Sequence, residues 1–201
     1  MRQTNHKKVV FLDRDGVVNT FPGNGNYVTK VKDFHFIPGS LMALRLLKEN
    51  GFTVFIISNQ AGVGKGVYSH DKLKRINRKM TNGIVRQGGK VRRVFYCTHK
   101  SDEGCRCRKP GTGSIHDALR SIHKPMSYAR NTFFIGDTQV DIQTGHNAGC
   151  KTVLVLSGRD NIRAVKRWAV KPDFISKNLL EASKIILHEN SCHTCNCGGR
   201  A

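Results

Sequence analysis

Two aspartates, Asp13 and Asp15, follow the first apolar run of the chain with one residue between them. Residues two apart in an extended chain point the same way, so both carboxylates are expected to face one crevice while Arg14 faces away. Gly16 then allows the backbone to turn sharply behind them. Paired carboxylates can carry acid–base chemistry, although a pair of this kind, taken alone, is more often a turn or a surface feature.

A second set of polar residues comes after the second apolar run. Ser58, Asn59 and Gln60 offer a hydroxyl group and backbone amides, which suit the oxygens of a phosphate group. Arg108 and Lys109, further along the chain, offer cations to a phosphoryl group.

A further acidic position completes the set. Asp137 follows Gly136 at the end of a later apolar run, and Asp141 stands one helical turn further on. Each signal is weak by itself, since an isolated Gly-Asp pair is usually part of a loop. Their occurrence together and in this order is specific.

The elements that must position these residues are short apolar runs alternating with longer segments of helical periodicity. The predicted strands are 8–12, 53–57, 94–96, 132–135 and 152–156, and the predicted helices are 40–50, 69–87, 114–123, 140–148 and 179–188. Continuous apolar strands that alternate with helices predict an α/β fold with a Rossmann-like, doubly wound parallel sheet covered on both faces. Ligands bind such a sheet at the carboxyl ends of its strands, which is where the polar clusters fall.

The length of 201 residues and the hydrophobic content of 38% fit one globular domain. We assign residues 1–189 to this domain and residues 190–201 to a flexible, Cys-rich tail. No apolar run approaches the ~20 residues that a membrane helix needs, and the start of the chain lacks the apolar segment of a secretory signal. These features predict a cytoplasmic protein that does not associate with a membrane. We also expect a monomer.

The charge of the chain is unusual, because 34 Lys and Arg against 14 Asp and Glu give a net charge of +20. Ten basic residues and a single acidic one, Asp71, lie between Gln60 and Arg93. Such a field attracts polyanions, nucleic acid among them. The alternative is a solvated helix face that has no partner.

The seven cysteines form two tight groups and one isolated residue, Cys150. The first group supplies three sulfurs and one imidazole, a set suited to tetrahedral structural zinc: Cys97, His99, Cys105 and Cys107. Reduced thiols in a loop without metal are the alternative. The second group lies in the tail and is either another metal site or part of a mobile appendage: Cys192, His193, Cys195 and Cys197.

The segments FLDRDGVVN, ISNQAGVGKG, CRCRKP and FIGDTQVDI resemble the haloacid dehalogenase (HAD) superfamily of phosphatases over residues 8–157. Within it, the FLDRDG, NQAGVGKG and CxH…CxCRKP motifs are similar to the small-capped branch. That branch includes heptose 1,7-bisphosphate phosphatases and histidinol-phosphate phosphatases. The resemblance implies a HAD fold with a minimal cap and a zinc-binding loop.

The same resemblance implies roles for the acidic residues. Asp13 is the nucleophile that forms an aspartyl phosphate, and Asp15 protonates the leaving oxygen and then activates water. Mg²⁺ is expected on the carboxylate of Asp13, the main-chain carbonyl of Asp15 and the side chain of Asp137. Asp141 either supports the water shell of the cation or has a structural role.

The resemblance further implies that Ser58, Asn59 and Lys109 hold the transferring phosphoryl group, and that the zinc loop directs Lys109. The other candidate contacts to substrate are Gln60, Lys65, Arg108 and the loop Thr20–Asn26. The family often has Arg where Lys65 stands, and Lys lacks the bidentate fork of Arg.

We therefore predict a Mg²⁺-dependent phosphohydrolase of carbohydrate metabolism that also binds zinc. The 7-phosphate of D-glycero-D-manno-heptose 1,7-bisphosphate is the first candidate substrate and histidinol phosphate the second. A DNA 3′-phosphate is the third, because of the net charge. The alternative from another class is a non-catalytic nucleic-acid-binding protein, which would not need to keep the complete set of Asp13, Asp15, Lys109 and Asp137.

Overall fold

Six parallel β-strands form the centre of this computed structural model, which describes residues 8–192. Each strand is a short run rich in branched or aromatic residues, which fit the pleated, buried surface of a sheet. The strands are β1 Val9–Leu12, β2 Thr53–Asn59, β3 Arg93–Cys97, β4 Thr132–Gly136, β5 Lys151–Val155 and β6 Phe174–Ser176.

Helices lie in the connections between the strands, and a last helix follows β6. They are α1 Ser40–Glu49, α2 His70–Arg86, α3 Gly113–Arg120, α4 Gln139–Ala148, α5 Ile162–Val165 and α6 Leu179–Cys192, with 3-10 turns at Val31–Asp33 and Met126–Asn131. The hydroxyl of Ser69 accepts a hydrogen bond from the Lys72 amide and thereby caps α2. Thr138 and Asp141 form a reciprocal capping box at the start of α4.

The order of the strands in the sheet is β3-β2-β1-β4-β5-β6. The chain moves outward from β1 to β3 and then crosses to the other side of β1, where β4 pairs with it. The carboxyl ends of β1 and β4 therefore form the switch point of a doubly wound sheet, where a crevice opens for a ligand. The predicted fold class is confirmed.

Alternation of side chains along the strands divides the core into layers. Val10 and Leu12 of β1 face the layer that contains α1, α2 and α6. Phe11 faces the opposite layer, where it packs with Phe55 and Phe134 beneath α3. Because both faces of the central strands are covered, their sequences are apolar throughout rather than alternating.

The structure differs from the predicted elements mainly in the last part of the chain. Strand β6 was not predicted, because Phe174–Ser176 is too short to show a periodic pattern. Helix α6 continues to Cys192, beyond its predicted end at residue 188 and across the predicted start of the tail. Its last turn is held by an ion pair between Lys151 and Glu189 at 2.8 Å and by a hydrogen bond from Asn190 to the carbonyl of Ile186.

The C-terminal group of metal-ligand candidates is not covered by this description. His193, Cys195 and Cys197 lie outside the described residues, so the role of this group stays a prediction. Within residues 8–192, no helix is both long enough and apolar enough to cross a membrane.

Candidate active site

A cavity of about 310 Å³ opens at the carboxyl ends of β1, β2 and β4. Both Asp13 and Asp15 line it, together with Asp137 and Asp141. Arg14 does not, in agreement with the predicted alternation of these side chains. The remaining lining residues are Phe21, Pro22, Gly23, Asn24, Gly25, Asn26, Tyr27, Ser58, Asn59, Arg108, Lys109, Thr138, Val140 and Arg159.

Lys109 is the buried cation of this cavity. Its Nζ donates to Oδ1 of Asp13 at 2.7 Å and to Oδ1 of Asp141 at 2.5 Å. Burial by itself would lower the pKa of Lys109, but the two carboxylates raise it above its usual value. Lys109 is therefore a fixed positive charge beside Asp13, where a phosphoryl group would bring negative oxygens.

The pKa of Asp13 is raised from 3.8 to about 6. Burial is the largest cause, and the neighbouring carboxylates of Asp141 and Asp15 add to it, while Lys109 acts in the opposite direction. A buried carboxylate with a raised pKa in a cleft is typical of a functional site.

Asp137 is enclosed even more tightly than Asp13. Burial and the charges of Asp141 and Asp13 raise its pKa from 3.8 to about 8. The amide of Arg159 donates to its Oδ2 at 2.8 Å. A Cβ atom at Gly16 or Gly158 would collide with this carboxylate, so both positions require glycine for the close approach of their backbones.

Three buried carboxylates converge in the cavity, since oxygen atoms of Asp13, Asp137 and Asp141 lie within 4.8 Å of one another. Lys109 neutralises only part of their combined charge. Hard carboxylate oxygens around an excess of negative charge suit Mg²⁺. Asp141 spends both oxygens on Lys109 and Thr138, which leaves Asp13 and Asp137 as the better placed ligands.

Asp15 makes a separate network on the inner side of the cavity. Its carboxylate accepts hydrogen bonds from Arg14, from Asn19 at 2.8 Å and from Gln60 at 2.8 Å. Gln60 is buried and does not line the cavity. Its predicted contact with substrate stays a prediction, and the structure gives it a contact with Asp15 instead.

Asn59 fixes the backbone of Lys109 across the sheet edge. Its Oδ1 accepts from the Lys109 amide at 3.0 Å, and its Nδ2 donates to the Lys109 carbonyl at 3.1 Å. The side chain of Asn59 is thus occupied in holding Lys109. Ser58, Asn59 and Arg108 all line the cavity, and their contacts with substrate stay predictions. Lys65 is exposed and does not line it.

The four predicted ligands of the Cys/His loop come together. The Sγ atom of Cys105 lies 3.5 Å from that of Cys97 and 3.6 Å from that of Cys107. The Nδ1 atom of His99 lies 3.6 Å from the sulfur of Cys97 and 3.3 Å from that of Cys107. These sulfurs are too far apart for a disulfide, whose length is about 2.05 Å, and the cluster could hold a metal ion.

Sequence reasoning missed the loop that follows β5. Arg159 lines the cavity from this side. Asp160 accepts from the amide of Gln139, and its own amide donates to the Asp137 carbonyl. Ser157 donates to the Gly16 carbonyl at 2.8 Å. The signal was present, because Ser157 to Asp160 is a polar, Gly-containing segment that directly follows a predicted buried strand.

The chain is similar to known HAD-like hydrolases and to heptose bisphosphate phosphatases. The HAD-hydrolase-like family model matches residues 106–182. The D-glycero-beta-D-manno-heptose-1,7-bisphosphate 7-phosphatase of Neisseria meningitidis is 30% identical over 186 residues, which are 92% of this chain and 97% of that protein. The enzyme of the same name from Pseudomonas putida is 34% identical over 153 residues, 76% of this chain and 84% of that protein.

A solved structure is similar over almost its whole length. The D,D-heptose 1,7-bisphosphate phosphatase from B. bronchiseptica, complexed with magnesium and phosphate, superposes with a TM-score of 0.81 and 32% sequence identity. The match covers 90% of this chain and 99% of that one.

The raised pKa values of Asp13 and Asp137 predict how Mg²⁺ should stabilise the protein. Both carboxyl groups hold protons more tightly when folded, so without metal their contribution to stability is present below about pH 4 and is lost as the pH rises through about 6 and 8. A bound cation replaces these protons. Saturating Mg²⁺ should therefore raise the melting temperature much more at about pH 8.5 than at about pH 5.5.

Thermal unfolding with and without Mg²⁺ at the two pH values tests this expectation. Asp137→Asn should lose the increase, whereas Asp117→Asn, which changes a carboxylate outside the cavity, should keep it. A shift of equal size at both pH values, or a larger one at the lower pH, would contradict the assignment of the cation to these carboxylates.

Proposed function

This chain belongs to the HAD-like phosphatase family that contains the D-glycero-D-manno-heptose-1,7-bisphosphate 7-phosphatases, and we propose that it removes the 7-phosphate from a heptose bisphosphate of this kind. The family resemblance drawn from the sequence motifs is confirmed. The observation that carries the proposal is the position of Asp13 between Lys109 and Asp137, at the switch point of the sheet.

The first half of the reaction is attack by Asp13. Lys109 fixes the rotamer of Asp13, and Asn59 fixes Lys109. A carboxylate oxygen of Asp13 forms a bond to phosphorus as the bond from phosphorus to the sugar oxygen breaks. Asp15 gives a proton to that leaving oxygen, which yields the alcohol and an aspartyl phosphate.

The second half of the reaction restores the enzyme. Asp15, now ionised, takes a proton from water, and the water oxygen attacks phosphorus while the bond to Asp13 breaks. Inorganic phosphate is released. Mg²⁺, when bound by Asp13 and Asp137, supplies positive charge that offsets the carboxylates and the phosphoryl oxygens.

Replacement of the nucleophile is the direct test of this chemistry. Asp13→Asn should abolish phosphate release, because an amide does not form the acyl phosphate. Asp15→Asn should lower turnover by ~10²–10⁴-fold through the loss of acid–base help. Phosphate release and trapping of the phosphoenzyme measure both effects, with the exposed Asp71→Asn as a control that should stay fully active. Substantial turnover by Asp13→Asn would refute the covalent mechanism.

Two arginines support a substrate with a second phosphate. Arg108 and Arg159 line the same cavity as Lys109 but make no contact with Asp13 among the described hydrogen bonds and ion pairs. Lys109 is occupied at the reacting group, so the arginine side chains remain for a second anionic group of the substrate. Guanidinium groups suit a phosphate at that position because they donate in pairs.

Arg159→Met should therefore distinguish substrates by their phosphate number. The loss of a charged hydrogen bond costs about 1.5–3 kcal/mol, so KM for the heptose bisphosphate should rise roughly 10- to 100-fold. KM for p-nitrophenyl phosphate, which has no second phosphate, should stay close to that of the wild type. Arg163→Met, an exposed arginine of α5 outside the cavity lining, is the matched control. Equal changes in KM for both substrates would remove Arg159 from substrate recognition.

A nucleic-acid end is the second candidate substrate, and the exposed basic face of α2 favours it. Lys72, Lys74, Arg75 and Arg78 are all exposed on this helix. If a 3′-phosphorylated oligonucleotide is the substrate, its binding should weaken steeply with salt, with a log–log slope of about −0.7 for each phosphate contacted. A sugar phosphate should show only a weak dependence. Histidinol phosphate belongs in the same set of assayed compounds.

We assign the Cys/His cluster to one structural zinc ion as part of the same proposal. Zinc lies about 2.3 Å from sulfur and about 2.0–2.1 Å from nitrogen, so tetrahedral ligands are separated by roughly 3.5–3.8 Å. The separations of 3.3–3.6 Å in the cluster lie within about 0.3 Å of this geometry. The described cysteines form no disulfide, as is typical of a reducing compartment, which supports a cytoplasmic enzyme. We further propose that this enzyme is a monomer.

Bound zinc should fix the conformation of the loop that carries Lys109, because the proposed ligand Cys107 is only two residues before Lys109. Cys105→Ser should lower both the melting temperature and turnover, and elemental analysis should find one zinc per chain in the wild type. Cys150→Ser removes a buried thiol outside the cluster and should keep the zinc. Protein purified without chelator that contains no zinc would contradict the site. Two zinc ions per chain would indicate that the C-terminal group also binds metal.

A further inference from the structure

Arg14, the residue between the two aspartates, is completely buried. Its side chain is 0% exposed, although arginine is seldom buried in proteins. Nη2 donates to both carboxylate oxygens of Asp15 at 2.9 Å, and Nε donates to Oδ1 at 3.1 Å. Burying a guanidinium is costly unless a carboxylate compensates its charge. Asp15 provides that compensation, so the burial of Arg14 depends on Asp15.

The carboxylate of Asp15 is held from several directions. Asn19 donates to Oδ1 and Gln60 donates to Oδ2, each at 2.8 Å, in addition to the bonds from Arg14. The side chain of Asp15 is still 19% exposed and lines the cavity. Asp15 therefore lines the cavity while side-chain donors bind both of its carboxylate oxygens.

Arg14 is fixed in its turn by residues of β3 and of the loop after β2. Its guanidinium carbon lies 5.6 Å from the centre of the Tyr96 ring, and Nη2 donates to Oε1 of Gln60 at 3.1 Å. The hydroxyl of Tyr68 donates to the same Gln60 oxygen at 2.6 Å. Beyond the end of β1 at Leu12, the backbone of Asp15 pairs with that of Asn19 in an isolated bridge, and these side-chain contacts then set the direction of its carboxylate.

We propose that Arg14 is a positioning residue for the reaction and sets the direction in which Asp15 presents its carboxylate to the cavity. The inference rests on the proposed function, because it assigns Arg14 to both halves of that reaction. The planar guanidinium of Arg14 donates to both carboxylate oxygens of Asp15 at once. A lysine at this position offers a single ammonium group and does not define the plane of the carboxylate.

Substrates with different leaving groups can distinguish the positioning role of Arg14 from a purely structural role. An alkyl phosphate needs a proton from Asp15 when its alcohol leaves, whereas p-nitrophenolate leaves without one. Both substrates need Asp15 to activate water for the breakdown of the aspartyl phosphate. Misdirection of Asp15 should therefore slow the first step for an alkyl ester and the second step for an aryl ester.

The experiment compares wild type, Arg14→Lys and Arg14→Met with β-glycerophosphate and p-nitrophenyl phosphate. For both variants we expect kcat on the alkyl ester to fall about 100-fold or more, within the range of acid–base catalysis. The aryl ester, whose first step needs no proton from Asp15, should give a burst of about one p-nitrophenol per enzyme, with phosphoenzyme that accumulates. Arg45→Met, an exposed arginine paired with Glu49, is the control and should leave both activities unchanged.

Gln60→Met provides a second variant if Arg14→Met does not fold, since it removes one donor to Asp15 without leaving Arg14 unpaired. It should show the same pattern with a smaller change. Equal losses on both esters without a burst, or full activity, would overturn the role of Arg14 while leaving the phosphatase assignment intact. A wild type that releases phosphate neither from these esters nor from the heptose bisphosphate would instead refute the proposed function, and the inference with it.

Discussion

The interaction on which this structure depends is the buried ion-pair group of Lys109 with Asp13 and Asp141. Three carboxylates and one ammonium group share a site in which all four side chains are buried. Removing Lys109 would leave buried negative charge without compensation, which is far more costly than the loss of a surface pair. The neighbouring elements are arranged to keep this one cation in place.

Lys109 comes from a loop rather than from a strand, so its position has to be secured by other parts of the chain. Asn59 bonds both backbone groups of Lys109, which connects the loop to the end of β2. The Cys/His cluster closes the same loop two residues earlier. In the proposed zinc-bound state, the metal would order the loop that directs Lys109, and metal binding would then be coupled to catalysis.

Asp141 and Asp137 are also held by contacts that serve both the fold and the site. Asp141 closes the capping box of α4 with one oxygen and binds Lys109 with the other, so helix formation and site charge depend on one side chain. The backbones at Gly16 and Gly158 pack closely against Asp137, so the loops after β1 and β5 both contact this carboxylate. Small residues at these positions allow close approach and exclude water from the carboxylate.

The sequence by itself determined the parts of this protein that depend on local patterns. Strands β1 to β5 follow from continuous apolar runs, and the Asp13–Asp15 pair and the Cys/His loop follow from residue type and spacing. Only the tertiary structure decided which partners those residues have. The contact of Asn59 with Lys109, the hydrogen bond from Gln60 to Asp15 and the position of Arg159 all join segments whose meeting depends on the order of the strands. Local periodicity carries no record of such contacts, because they form only when distant elements pack together.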